Sequence, residues 1–422
     1  MNATVTHQKR FTGREWAGIL YFSVVVFCTY ASVFAFRKPF TVATFSGTAY
    51  GGVPYQTWLI VSQVIGYMLS KFYGIRFIAE LQRLGRWKTS AALLLTAWLS
   101  WLLFALVPAP WGIPCLLVNG FVLGFMWGIV FSYVEGRRAT DFIGVVLAVS
   151  FIFAGGFSRS VGKWLLLEWK VSEYWMPFAT ASLFAVPLLL FYYLMEQAPP
   201  PDRYDQEERT IRQPMDRAGR KQFLQRFAPG VLMFVFIYLL LTILRDLRDN
   251  YMANMWNELG YAANAGLFSQ TETITSLVVL VVTGGLVFVR KNKTAFLLIH
   301  LLLVAGFVLA GTASFLFRKE LIGGVAWMQL TGLGLYLSYV LFNSVFFERL
   351  LATFRVAGNV GFLIYIADAW GYLGSISIMF TKEFARLSIS WVSFYAALSL
   401  VLTLAGAVTA VCSWFYFSRK MR

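Results

Sequence analysis

Long apolar runs alternate with short polar interruptions along this chain. A membrane-crossing helix needs about 20 largely apolar residues. Twelve such runs lie near 17–45, 56–77, 89–107, 112–134, 142–166, 175–195, 227–250, 266–289, 294–316, 322–346, 357–380 and 388–416. The third and fourth are separated only by Val107-Pro108-Ala109-Pro110, read as a turn because of its prolines. One polar segment is long: Pro199 to Arg226, dense in Arg, Asp, Glu and Gln, reads as a linker between two sets of six helices. The pattern predicts an all-α membrane protein with twelve transmembrane helices in two pseudo-symmetric six-helix halves. The halves are 1–195 and 227–422, with the linker at 196–226.

Composition agrees. The chain is 59% hydrophobic and only 13% charged, more apolar than a soluble domain. Its net charge of +16 does not point to nucleic acid, because the basic residues sit in the short segments between apolar runs, where they act as orientation signals. The segments on one side, 1–16, 76–88, 137–138, 196–226, 290–293, 349–355 and 419–422, hold 24 Lys and Arg. The other side holds only Lys170, Arg318, Lys319, Lys382 and Arg386. Both termini and the linker are therefore expected in the cytoplasm, with the protein in the cell (inner) membrane. Cys28, Cys115 and Cys412 fall inside apolar runs without metal spacing and are expected as small core residues; no metal or other cofactor is implied. The first run is too long for a signal-peptide core and is expected to remain as an anchor.

Seven cations lie inside the apolar runs, where a charge is costly unless it faces a water-filled cavity, a partner or a ligand. Arg37-Lys38-Pro39 interrupts the first run, Lys71 the second, and Arg245-Asp246-Leu247-Arg248 the seventh. Thr57 to Ser70 is too short to span a core of about 30 Å, so the second helix must include Lys71. Arg37 and Arg245 stay open to a second reading, since Ala17–Phe36 and Phe227–Leu244 are nearly long enough to span alone and leave each arginine to snorkel. Asp246 and Asp249 are expected at the solvated end of helix 7. Glu272 and Asp368 sit deeper and are read as counter-charges or proton carriers. His300 is read as a hydrogen-bonded packing residue, and with no other histidine in an apolar run the chain is not expected to be an enzyme.

The halves share an order of features. Gly120, Gly124 and Trp127 lead into Glu135-Gly136-Arg137-Arg138 and then Gly155-Gly156; Gly332 and Gly334 lead into Glu348-Arg349 and then Gly371-Tyr372-Leu373-Gly374. With Arg37-Lys38-Pro39-Phe40, Gly66-Tyr67-Met68-Leu69-Ser70-Lys71-Phe72, Tyr238 followed by Arg245, Trp256 and Glu258, and the pair Phe268 and Glu272, the chain resembles the major facilitator superfamily. Within it, the likeness is to the organophosphate:inorganic phosphate antiporter branch. It departs from that pattern in the loop between helices 2 and 3, where Leu84-Gly85-Arg86-Trp87-Lys88 lacks the usual aspartate, and at Ile152, where the antiporters carry a histidine. Arg159 and Lys163 on the same helix are candidates to supply the missing charge. The resemblance implies a secondary active transporter of a small anionic solute, an organic phosphate or phosphate, working by alternating access. It implies Arg37, Lys71 and Arg245 as substrate-binding residues, Glu272 and Asp368 as coupling residues or counter-charges, and Lys38, Arg159 and Tyr238 as secondary candidates. A proton-coupled carrier of another organic anion and a non-transporting membrane receptor or scaffold are the alternatives. The expected partners are the anion and membrane lipid, with no nucleic acid and a monomer favoured.

Overall fold

The computed structural model describes residues 12–135, 137, 139–199, 217–289, 291–354, 360–384 and 389–421. Among them run twelve long helices: α1 Gly13–Phe34, α2 Tyr55–Leu84, α3 Arg86–Leu106, α4 Gly112–Val134, α5 Thr140–Leu167, α6 Met176–Glu196, α7 Arg217–Glu258, α8 Gly266–Val287, α9 Asn292–Arg318, α10 Gly324–Phe354, α11 Val360–Phe384 and α12 Trp391–Lys420. Ten of these are long and apolar enough to cross a membrane among the described residues. On α3, α6 and α12, large apolar side chains recur at helical spacing on the outer surface: Leu95, Leu99 and Leu103; Leu183, Val186 and Leu190; Val401, Leu404 and Val408. Such stripes would be a liability in water and are the normal lipid-facing surface of a bundle. The protein is an integral multi-pass membrane protein with an all-α fold. Most of the expected linker, at 200–216, lies outside the described residues, as do Arg138, Arg290, Arg355 and Arg386.

The first helix departs from its expected range. A capping box starts α1, with Thr12 N–H donating to Glu15 Oε2 at 2.6 Å and Glu15 N–H to Thr12 Oγ1 at 3.3 Å. It ends at Phe34 rather than running to 45, because Pro39 has no N–H to donate to the Ala35 carbonyl one turn back and its ring would clash there if the helix continued. Pro39–Val42 then forms a single 3-10 turn, and Ala49–Tyr50 pairs antiparallel with Val53–Pro54 before α2. The carbonyls freed by the break need donors in an apolar setting. Trp101 Nε1 and Asn119 Nδ2 donate to the Phe36 carbonyl at 2.6 and 3.2 Å, and Gln63 Nε2 donates to the Arg37 carbonyl at 3.0 Å. Gln63 also bonds Asn119 Oδ1 at 2.9 Å, so α2, α3 and α4 jointly hold Arg37 and Lys38 in place.

Helix α7 kinks at Phe227 and Tyr251, where the backbone leaves helical geometry, so its middle segment matches the expected 227–250 and about two further turns run on to Glu258. Asp246 and Asp249 lie just before the second kink and are buried, at 5% and 7% exposure, not solvated as expected. Of the cysteines, Cys115 is buried and Cys28 partly so, but Cys412 faces outward on α12, since small apolar side chains suit a lipid-facing surface as well as a core.

Close helix approach comes from small residues. A Cβ on Gly66 of α2 would run into the Leu117 carbonyl of α4, and one on Gly306 of α9 into the Gly334 carbonyl of α10. Between the halves, α5 packs along α8 and α2 packs along α11.

Candidate functional site

A cavity of about 280 Å³ lies between the halves. Arg37, Lys38, Lys71, Arg245 and Asp368 line it together, joined by Asp246 and Asp249. Its mouth is formed by Thr140 and Asp141 at the start of α5 and by Glu348 near the end of α10. This is the end of the bundle where α1 begins, since Trp16 packs edge-on against Phe142. At the other end the halves are tied shut. Lys38 Nζ donates to Asn250 Oδ1 at 2.7 Å, Gln56 and Asn254 exchange two amide hydrogen bonds of 3.1 Å, and the Thr57 and Tyr251 hydroxyls meet at 2.9 Å.

The two cavity arginines are held differently. Arg37 Cζ lies 3.8 Å from the centre of the Tyr67 ring, a cation–π contact that fixes the guanidinium against one wall. Among the described residues Arg37 has no carboxylate within ion-pair distance, and its buried Nε has no hydrogen-bond partner. Arg245 lies 4.0 Å over Tyr339 but is ion-paired with Asp246 at 2.6 Å, which leaves Asp246 Oδ2 buried without a partner. Lys71 Nζ is 4.6 Å from the Tyr67 ring. Asp368 accepts a 2.5 Å hydrogen bond from the Tyr238 hydroxyl, which is 3.1 Å from that of Tyr339. The second tyrosine layer therefore orients a carboxylate and an arginine of the same wall.

Three candidates from the sequence lie behind the walls. Tyr238 acts through Asp368. Arg159, 1% exposed, bonds Thr41 Oγ1 at 3.2 Å and stands 3.8 Å from Asp249, which also accepts the Tyr336 hydroxyl. Glu272 is not among the cavity residues. It is 0% exposed and paired at 2.7 Å with Arg248, equally buried. Lys163, raised with Arg159, is likewise absent from the lining. His300 is a packing residue, its ring nitrogens 2.9 Å from the Phe296 carbonyl and 3.1 Å from Ser413 Oγ.

Sequence reasoning missed Asn119 and Gln63, which set the Arg37 backbone, and Asn250, which anchors Lys38. Asn119 carried a readable signal as the lone amide in an otherwise apolar fourth run. It also missed the π turn at Phe342–Phe346, which interrupts α10 where Phe342, Asn343 and Ser344 reach the cavity.

Two bundles of six helices around a central cavity open at one end define a protein of the major facilitator fold. Solved structures share it: a variant of the nucleoside transporter NupG at TM-score 0.63 and 16% identity, covering 92% of this chain and 99% of that one; a D-xylose-proton symporter at 0.58 and 13%, covering 92% and 97%; and the proton:xylose symporter XylE with 6-bromo-6-deoxy-D-glucose at 0.57 and 15%, covering 95% and 96%. No curated protein sequence matches the chain. The chain belongs to DUF5690, a family of unknown function, whose sequence model matches residues 39–420.

Proposed function

We propose that this protein is a secondary active transporter that carries a small solute bearing an acidic group, an organic phosphate, phosphate or other organic anion, by alternating access through the central cavity. Arg37 is the observation that carries this reading. A guanidinium held against Tyr67, with no acidic partner and an unsatisfied buried Nε, is prepared to take an oxyanion through charge-assisted, two-pronged hydrogen bonds. Lys71 and Arg245 face the same space and add to the attraction. A cavity open at one end and closed at the other corresponds to one of the two states such a carrier alternates between. With both termini and the linker in the cytoplasm, the open end faces inward.

The tyrosines favour a second reading. Tyr30, Tyr67, Tyr339 and Tyr372 line the cavity, and such rings suit the faces of a neutral sugar or nucleoside. Purified protein in liposomes separates the two. Uptake of glycerol phosphate or a dicarboxylate is expected to exceed that of xylose or uridine, and Arg37→Lys is expected to weaken anion binding by about 1 to 3 kcal/mol, since a point charge replaces a fork. Anion affinity indifferent to Arg37→Lys, or equal uptake of the neutral solutes, would sink the acid-group reading.

A further inference from the structure

The charges that line the cavity are sorted by half. Among the described residues of the deep part, the first half contributes Arg37, Lys38 and Lys71 and no carboxylate, whereas the second contributes Asp246, Asp249 and Asp368 with Arg245 as its sole cation. A site for a simple anion gains nothing from such a wall: three carboxylates opposite the arginine would repel the solute that Arg37 attracts. Two of the three are committed to neighbours. Asp249 accepts from Tyr336 beside Arg159, and Asp368 accepts from Tyr238. Asp246 is different. Arg245 uses only its Oδ1, and Oδ2 is buried with no donor. The two unmet groups of the cavity are thus opposite in kind and on opposite walls: the donor Nε of Arg37 and the acceptor Oδ2 of Asp246.

We propose that the transported solute is zwitterionic, its acid group held by Arg37 on the first-half wall and a protonated amine held by Asp246 on the second-half wall. This rests on the acid-group reading above and narrows it. A carboxylate in a site shielded from bulk water needs a donor, and an ammonium meets that need with charge as well as a hydrogen bond. Tyr339, already under the Arg245 guanidinium, offers a ring face suited to a cation on the same wall. Neutral hydroxylated acids satisfy the hydrogen bond but not the charge, so they should bind more weakly. A solute with its two charges on different halves also makes its full set of contacts only when the walls are close, which links recognition to the movement of one half against the other.

Matched probes test this on the purified full-length protein, with calorimetry as the readout. Phosphoethanolamine is compared with ethyl phosphate, and β-alanine with propionate. In at least one pair the amine-bearing member is expected to bind about tenfold more tightly or better, a preference that Asp246→Asn removes while affinity for the amine-free partner is kept; Asn retains an acceptor oxygen for Arg245. Arg37→Gln is expected to weaken both members of the pair. Equal or tighter binding of the amine-free member in both pairs, which the wild-type protein alone reveals, overturns the zwitterion inference and leaves the acid site standing. A preference that survives in Asp246→Asn overturns it in the same way. Binding indifferent to Arg37→Gln, or no binding of any of the four at millimolar concentration, overturns the acid-group reading together with this one.

Discussion

Glu272→Ala is expected to be among the most damaging single substitutions in the chain, and the reason lies in how its pair is enclosed. Glu272 and Arg248 are both 0% exposed, 2.7 Å apart, in a slot bounded by two glycines. A methyl group on Gly156 would come 2.7 Å from Glu272 Cγ, and one on Gly332 would come 2.7 Å from Arg248 Cζ. Removing the carboxylate leaves a guanidinium buried without its counter-charge, and neither glycine wall can supply one. Breaking a buried pair in this way costs about 3 to 5 kcal/mol. At the unfolding entropy of a chain of 422 residues, about 1 °C per kcal/mol, thermal unfolding of the purified protein should fall by roughly 3 to 6 °C. The double variant Arg248→Met/Glu272→Leu removes both charges and should recover most of the loss, because apolar replacement of a buried pair is often neutral. A melting temperature for Glu272→Ala within about 1 °C of the wild type would sink the claim that Arg248 depends on Glu272 as its counter-charge. The double variant also decides a second matter: if it transports normally, Glu272 is a structural counter-charge and not a coupling residue.

Three further outcomes are expected. Asn119→Leu withdraws a donor from the Phe36 carbonyl and an acceptor from the Gln63 amide, so it should cost about 1 to 3 kcal/mol in thermal stability and weaken solute binding without touching the solute; unchanged stability and binding would count against the clamp. Cysteines at Gln56 and Asn254, whose side chains bond at 3.1 Å, should be joined across the closed end by a short bifunctional methanethiosulfonate reagent, which abolishes uptake reversibly with reductant; free uptake in the cross-linked protein would show that this end need not open. A cysteine at Gln206, outside the described residues, should resist an impermeant thiol reagent in intact cells, and labelling from outside would reverse the assigned orientation.

The fold was largely legible because a run of about 20 apolar residues leaves the chain few options in a bilayer. All twelve runs became helices, but the first, read as running to 45 through Pro39, stops at Phe34. The burial of the last turn before the Tyr251 kink in α7 was not legible for a physical reason. Arg245, Asp246, Arg248, Asp249 and Asn250 look like a solvated terminus until their partners are known, and those partners, Glu272, Arg159, Tyr336 and Lys38, come from four other elements. Periodicity reports which residues share a face but not what another helix brings to that face. The same limit put Glu272 and Asp368 together in the sequence reading, whereas one is sealed against Arg248 and the other lines the cavity.

The closed end is held by polar contacts of modest strength, which bears on whether a solute can move it. The Lys38–Asn250, Gln56–Asn254 and Thr57–Tyr251 contacts are each worth about 0.5 to 1.5 kcal/mol net, somewhat more for the charged lysine. Their sum is a few kcal/mol, the scale that differential binding of a small solute can shift, since a change from 1:99 to 99:1 needs about 5.5 kcal/mol. Lys38 couples the two places directly. It follows Arg37 in the chain, lines the same cavity and bonds across to Asn250, so an acid group drawn to Arg37 also competes for the Lys38 ammonium. Loss of that bond as the solute arrives weakens the closed end at its innermost contact. On this argument Asn250→Ala should favour the state open at the far end even without solute, and accessibility of a cysteine at Gln56 to an impermeant reagent would measure it. Equal labelling with and without Asn250→Ala would mean that the seam between α5 and α8, rather than Lys38, holds the closed end.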